Sequence, residues 1–397
     1  MPPAIVVLML SLLLGMQPIT TDLYLPALPA LTAGFGASMA QAQLTLTALL
    51  LAFGVSQLIW GPLSDRFGRR PVLLAGLLAY VLASAASALA PSMSLLIACR
   101  AVQGAAMGAG VMCARAIVRD LYKPLEGARV MSRGLTGLGV IACLSAPLGG
   151  LLSDGFGWRL ALSALAVFGA AALALVGLRF EETVPQRNLR ALQPLVLARG
   201  WWQIARNPTF LAFSALTTAS YGGLFTFLAS SSFVFITALG LSKMQYGLLM
   251  SSMSFAYLAG TVICRRLLPR FGVRRSVAIA GVLSLSGGTL MGLLALGGLH
   301  NGWAIMLPCY LFMLGHGVHQ PCGQSGAVAP FPQTAGTASA LNGFLMVVAA
   351  FATGAWLAAH MDGTVFPLAY GMWFWSVCVT LAAWLPVQKF GATGAHG

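Results

Sequence analysis

The sequence predicts an all-α integral membrane protein of 12 transmembrane helices in two pseudo-symmetric six-helix bundles. Three observations carry that prediction. Of 397 residues, 58% are hydrophobic and only 8% are Asp, Glu, Lys or Arg, against about 25% charged in an ordinary soluble domain. Apolar runs recur along the whole chain, each near the ~20 residues that cross a hydrocarbon core of about 30 Å. Basic residues gather in every second break between those runs. Such a composition excludes a soluble enzyme, because the solvent for most of the chain is lipid.

The runs are taken in order, each closed by a charged or Gly/Pro-rich break. The first, 4–28, has no Lys or Arg before its apolar stretch from Ala4 to Leu14. It therefore reads as a first span beginning near Met1 and not as a cleaved secretory signal. The following runs are 41–62, 71–90, 94–117, 130–152 and 159–179, which complete a first half. The second half holds 208–233, 244–265, 276–297, 303–324, 336–360 and 367–387. Runs this long, with no period-2 alternation, are helical, since in lipid only helices and closed barrels satisfy every backbone N–H and C=O. The organisation expected is therefore a six-helix bundle over 1–180, a central cytoplasmic loop over 181–207, a second bundle over 208–390 and a cytoplasmic tail over 391–397.

The formal charge of +14, from 22 Lys plus Arg against 8 Asp plus Glu, would suggest a nucleic-acid surface in a soluble protein. Here its placement decides. The breaks after odd-numbered runs hold Arg159 and Lys243 alone. The breaks after even-numbered runs hold Arg66, Arg69, Arg70, Arg119, Lys123, Arg129, Arg133, Arg179, Arg187, Arg190, Arg199, Arg206, Arg265, Arg266, Arg270, Arg274 and Arg275, and Lys389 follows the last run. By the positive-inside rule both termini lie in the cytoplasm of a bacterial-type inner membrane. The break around Pro330 and Pro332, which has no basic residue, departs from the pattern. The charge is a topology signal, so the partner is the bilayer and no nucleic acid is expected.

A repeat supports the division into halves. Asp65-Arg66-Phe67-Gly68-Arg69-Arg70 returns, with one insertion and without its Asp, as Pro269-Arg270-Phe271-Gly272-Val273-Arg274-Arg275. Two related six-helix halves are the organisation of many secondary transporters, with a site near the membrane midplane where they meet.

Among eight acids, Asp22 alone lies well inside a span. An ionisable group in lipid is costly and points to function. At 1.5 Å per residue Asp22 lies about 27 Å along the first run, and Arg100 about 9 Å into the fourth from the opposite face, so their depths are comparable. Facing one cavity, they would form a proton site tuned by their distance; a static ion pair that fixes helix packing is the other reading. Pro18, Pro26 and Pro29 break or kink the first helix around Asp22 and free backbone carbonyls. His316 and His319 lie one turn apart and have two readings, proton or substrate groups or neutral imidazoles bonded to neighbouring helices. No third ligand accompanies them, and the seven cysteines read as small core residues, so no metal site is expected.

Asp65, Arg66, Arg69, Arg70 and Asp120 read as a charge cluster that latches a cytoplasmic gate, or as basic anchors on anionic headgroups. Tyr24, Gln103, Tyr221, Phe225, Phe227, His316 and Asn342 would furnish a mostly apolar pocket with a few orienting polar groups; packing or lipid contact is the alternative for each. The G-x-x-x-x-G-K-[ST] phosphate loop is absent, so an ion gradient must supply the energy and no cofactor is expected.

Gly61-Pro62-Leu63-Ser64-Asp65-Arg66-Phe67-Gly68-Arg69-Arg70 resembles the loop signature of the major facilitator superfamily (MFS), and follows the second run as that signature does. Arg100-Ala101-Val102-Gln103-Gly104 is similar to the R-x-x-Q-G element of proton-coupled members. Ala146-Pro147-Leu148-Gly149-Gly150 is similar to the G-P-x-x-G-G antiporter element, with Ala for the first Gly and one residue fewer before the Gly pair, so Pro147, Gly149 and Gly150 carry what remains of it. Thr21 to Pro29, Gln43 to Thr47, Arg115 to Asp120 and Ser231 to Val234 resemble the bicyclomycin and chloramphenicol resistance (Bcr/CflA, CmlA-type) branch of drug–proton antiporters. The resemblance is dense in the first half and thinner in the second. It implies a monomeric proton-coupled multidrug efflux transporter working by alternating access, with a small lipophilic drug and the proton as its partners. A proton-driven carrier of a physiological metabolite on the same fold is the alternative.

Overall fold

The structure is a computed structural model that describes residues 2–122, 124–184, 193–331 and 334–391. Among these residues there is no strand. The helices are α1 (Pro3–Asp22), α2 (Leu28–Gly34), α3 (Met39–Phe67), α4 (Arg69–Ala88), α5 (Met93–Leu121), α6 (Pro124–Phe156), α7 (Trp158–Arg179), α8 (Pro194–Ala205), α9 (Pro208–Ser232), α10 (Lys243–Leu296), α11 (Gly302–Val328), α12 (Ala335–His360), α13 (Phe366–Trp384) and α14 (Pro386–Phe390). Among the described residues ten helices are long and apolar enough to cross a membrane. One of them is the 54-residue α10, which is bent at Gly272, where φ is 68°, and so supplies two crossings. With α11, 27 residues long and more polar, the twelve crossings are complete.

The chain divides into two compact units. Unit 1 comprises Met1–Leu197 with Ser242–Ser251, and unit 2 comprises Ala198–Leu241 with Ser252–Gly397. In unit 1, α5 packs along α3 and α4, α1 along α6, and α4 along α7. Val6, Met9, Leu10, Leu13, Leu73, Leu77, Met107 and Ile117 make its apolar core. In unit 2, α9 is the hub, packed by α11, α12 and α13. Arg187, Arg190 and the tail beyond Gly391 lie outside the described residues.

Three elements differ from the sequence expectation. The first span does not run unbroken to 28: α1 ends at Asp22, a single 3-10 turn covers Leu25–Ala27, and α2 starts at Leu28. Pro26 and Pro29 sit in the first turns of these new segments, where a missing N–H costs nothing; Pro18 alone lies inside α1. The seventh span continues from α9 through a π-helical turn, Phe233–Ala238. The division between units falls at Leu197, and the first two turns of α10 join unit 1.

Candidate functional site

The break at Asp22 builds the first part of the site. The last four carbonyls of a helix lack intrahelical partners, and that of Thr20 accepts a 3.0 Å bond from Arg100 Nη2 on α5. Arg100 Nη1 donates to Gln103 Oε1 at 2.7 Å, and its guanidinium lies 4.3 Å from the centre of the Tyr24 ring. Gln103 is oriented in turn by its Nε2, which donates to Ser84 Oγ on α4 at 2.7 Å. The Tyr24 hydroxyl donates to Thr45 Oγ1 on α3 at 2.8 Å, and Tyr80 Oη lies 2.6 Å from Thr20 Oγ1. Arg100, Tyr24, Gln103 and Tyr80 are each 0% exposed.

Arg100 is thus a buried cation stabilised by a carbonyl, an amide and an aromatic face. It makes no salt bridge with Asp22. The expected pair is not formed, because equal depth along two helices does not fix the direction in which each side chain points. Asp22 is half-buried, and its Oδ1 accepts a 2.8 Å bond from Thr21 Oγ1. Tyr24 and Gln103, expected among drug-binding groups, have their polar atoms in the frame around Arg100.

The second part is the charge cluster at the basic end of unit 1. Arg69 lies 4% exposed between two carboxylates: Nη1 is 2.7 Å from Asp65 Oδ1 and Nε is 3.0 Å from Asp120 Oδ2. The same Nη1 donates to Ser64 Oγ at 2.6 Å. Gly68, with φ of 106°, turns the chain from α3 into α4. A Cβ there would collide with Glu182, whose carboxylate accepts backbone N–H bonds from Arg69, Arg70, Thr183 and Val184 at 2.9–3.1 Å. Partial burial pushes the Glu182 carboxyl upward, but the four N–H donors outweigh it and hold the group below its usual range. Arg66 and Arg70 do not join the carboxylates as expected. Arg66 lies over Phe67, and Arg70 Nη2 donates to the Gly177 carbonyl at 3.0 Å. Gly61 lies on α3 against Met112.

At the other end of unit 1, Pro147, Gly149 and Gly150 occupy α6. A Cβ at Gly149 would strike the Leu23 carbonyl, in the break after Asp22, so the missing side chain lets α6 approach that turn. Gly150 faces the Lys243 carbonyl at the start of α10. There Asp154 Oδ2 accepts from Met244 N at 3.1 Å, and Lys243 Nζ lies 3.6 Å from Asp154 Oδ1.

Unit 2 contributes a polar network. His316 Nδ1 is 2.8 Å from Ser220 Oγ, with the ring between Phe312 and Tyr257. Thr217 Oγ1 donates to Asn342 Oδ1 at 2.9 Å, and Gln320 Nε2 to the Thr217 carbonyl at 3.1 Å. His319 turns away from His316, its Nε2 3.3 Å from the Val277 carbonyl. Tyr221 is 8% exposed; Phe225 and Phe227 are fully buried, Phe227 edge-on to Phe235. Both phenylalanine rings are packed inside unit 2.

The Major Facilitator Superfamily profile matches residues 10–355. The chain belongs to this superfamily. It is 32% identical over 338 residues to multidrug resistance protein D of Escherichia coli (strain K12), covering 85% of this chain and 84% of that protein. A bicyclomycin resistance protein homologue of Haemophilus influenzae is 27% identical, covering 95% and 94%. A chloramphenicol resistance protein of Pseudomonas aeruginosa is 29% identical, covering 81% and 75%. Among solved structures, the xylose transporter XylE from E. coli in a partially occluded inward-open conformation has a TM-score of 0.76 at 14% identity, covering 98% and 99%. A bacterial homologue of the human lysosomal transporter Spinster has a TM-score of 0.75 at 15% identity, covering 98% of each chain. These structural likenesses establish the MFS fold, the fold of a transporter family.

Sequence reasoning missed Thr20, Ser84, Tyr80 and Glu182. No local pattern marks a backbone carbonyl or a serine as a partner for Arg100. Glu181 and Glu182 look alike in a basic loop, and only the approach of α4 distinguishes them.

Proposed function

We propose that this MFS chain exports small lipophilic drugs in exchange for protons, acting as a monomer in a bacterial inner membrane with both termini in the cytoplasm. The family relatives support drug export through their names, multidrug, bicyclomycin and chloramphenicol resistance proteins. The asymmetry of basic residues supports the orientation.

One observation carries the assignment of the proton. Asp22 is the only carboxylate well inside a span, it terminates a broken helix, and the buried cation Arg100 directs Nη1 and Nη2 to neutral groups and not to Asp22. A carboxylate bonded only to a hydroxyl can lose and regain its proton without breaking a salt bridge. Arg100 supplies a fixed positive field and anchors the helix break that presents Asp22. Ser220, His316, Thr217 and Asn342 offer donors and acceptors to orient an uncharged drug. The Arg69 cluster holds the turn between α3 and α4 in one geometry through the transport cycle.

The test is accumulation of an amphenicol, a cationic dye and a sugar panel in everted vesicles, with and without a protonophore. Protonophore-sensitive accumulation of the amphenicol or the dye is expected. Accumulation of sugars alone would transfer the assignment to a metabolite carrier, and drug accumulation unaffected by the protonophore would remove proton coupling.

A further inference from the structure

α10 and α11 pack side by side in unit 2 with a constant offset in numbering. Ser252 Oγ lies 2.7 Å from Tyr310 Oη, the Tyr257 and His316 rings are 5.5 Å apart, and Cys264 Sγ lies 3.6 Å from Cys322 Sγ. The first and last pairs are both 58 residues apart, so the two helices run parallel and in register over about 18 Å at 1.5 Å per residue. The closest approach is made by Gly260 and Gly317. A Cβ on Gly317 would lie 2.6 Å from the Tyr257 carbonyl, and small residues of this kind let helix backbones meet. Cys264 is one turn beyond Gly260, which delivers its sulfur to that of Cys322. Both thiols are free and buried.

We propose that Cys264 and Cys322 form a dithiol site for monosubstituted trivalent arsenicals, which bridge α10 to α11. At a sulfur–metal distance of about 2.3 Å, sulfurs at this separation subtend roughly 100° at the atom between them. That angle suits a pyramidal or tetrahedral centre and not a linear two-coordinate one. A tetrahedral cation needs further ligands, and no group of three or more His, Cys, Asp or Glu able to hold a metal ion occurs among the described residues. Trivalent arsenic with one organic substituent needs only two sulfurs. The step balances without an oxidant: R–As=O and two thiols give R–As(S–Cys)2 and water, with two S–H bonds broken, two As–S bonds formed and arsenic still trivalent. Closure to a disulfide, in contrast, would need both an oxidant and an approach to about 2.05 Å. Cys264 directly precedes Arg265 and Arg266 in the sequence.

Phenylarsine oxide is titrated into membranes containing the full chain, and remaining thiols are counted with a maleimide after denaturation. The expected result is two thiols protected per chain at near-stoichiometric reagent. Protection should be reversed by 2,3-dimercaptopropanol but not by the same excess of a monothiol. Cys264→Ala or Cys322→Ala should raise the reagent needed at least tenfold. Because a variant can fail to insert, peptide mass mapping of the wild-type adduct gives a second reading, an arsenic bridge joining the peptides that contain Cys264 and Cys322. Unchanged protection in the double variant, protection of one thiol only, or a bridge mapped to other cysteines would each overturn the site.

Discussion

A double-mutant cycle around Arg100 separates a buried cation held by neutral groups from one held by Asp22. The guanidinium donates to Gln103 Oε1 at 2.7 Å and to the Thr20 carbonyl at 3.0 Å, and each hydrogen bond to a charged group contributes about 1.5–3 kcal/mol. Its position 4.3 Å over Tyr24 adds roughly 2 kcal/mol when desolvated. Arg100→Lys keeps the charge but removes the planar fork, so the bond to Gln103 and the stacking are lost. The expected destabilisation is about 3.5–5 kcal/mol, from summing one such bond and the stacking. Gln103→Leu removes one of the same bonds and leaves Ser84 Oγ without its donor. Unfolding in mixed micelles is measured for the single variants and for the pairs. The expected coupling between Arg100→Lys and Gln103→Leu is about 1.5–3 kcal/mol, the shared bond. Between Arg100→Lys and Asp22→Asn it is within about 0.5 kcal/mol, the additivity of groups without a shared partner. Coupling above 1 kcal/mol between positions 22 and 100 would refute the reasoning, since it would mean that the carboxylate holds the guanidinium.

Other expectations concern the remaining parts of the site. Arg69→Lys cannot span Asp65 and Asp120 together, and losing the planar fork between the two carboxylates should lower stability by about 2–4 kcal/mol and reduce transport more than Arg66→Lys does. Glu182→Gln should cost about 1 kcal/mol at neutral pH, the scale of a lost helix cap. Its carboxyl is held below the ordinary 4.5, so the contribution is present above that value and lost as pH falls through the lowered one; a wild-type advantage that grows on acidification would contradict the cap. Tyr24→Phe keeps the ring under Arg100 but loses the bond to Thr45, and should cost about 0.5–1.5 kcal/mol while Tyr24→Leu costs more. Asp154→Asn should shift stability by less than about 1 kcal/mol, because its pair with Lys243 is 3.6 Å long and half-exposed.

Much of this molecule is legible in its sequence because lipid imposes a simple code. Apolar runs near 20 residues gave the crossings, and the Gly61 to Arg70 motif located the cluster at the end of α3. What stayed hidden was azimuth. Counting residues put Asp22 and Arg100 at one depth, yet a helix turns about 100° per residue, so depth cannot say whether two side chains meet. The prolines announced a break near Asp22 without revealing that the Thr20 carbonyl it frees would be taken by Arg100. That Tyr24 and Gln103 also frame Arg100 was not legible, because aromatic and amide side chains suit many partners. The sulfur pair at 264 and 322 depends on packing between segments that no local pattern records.

The central claim, that Asp22 carries the exchanged proton while Arg100 remains a fixed charge, is tested most directly by drug-triggered proton release in everted vesicles. Wild type and Asp22→Asn are compared at matched expression, with an amphenicol and a cationic dye as triggers. The expected result is release with the wild type and none with Asp22→Asn, although the variant still binds drug. Full drug-triggered release from Asp22→Asn would contradict the claim and move the proton to another group, with His316 the first to examine.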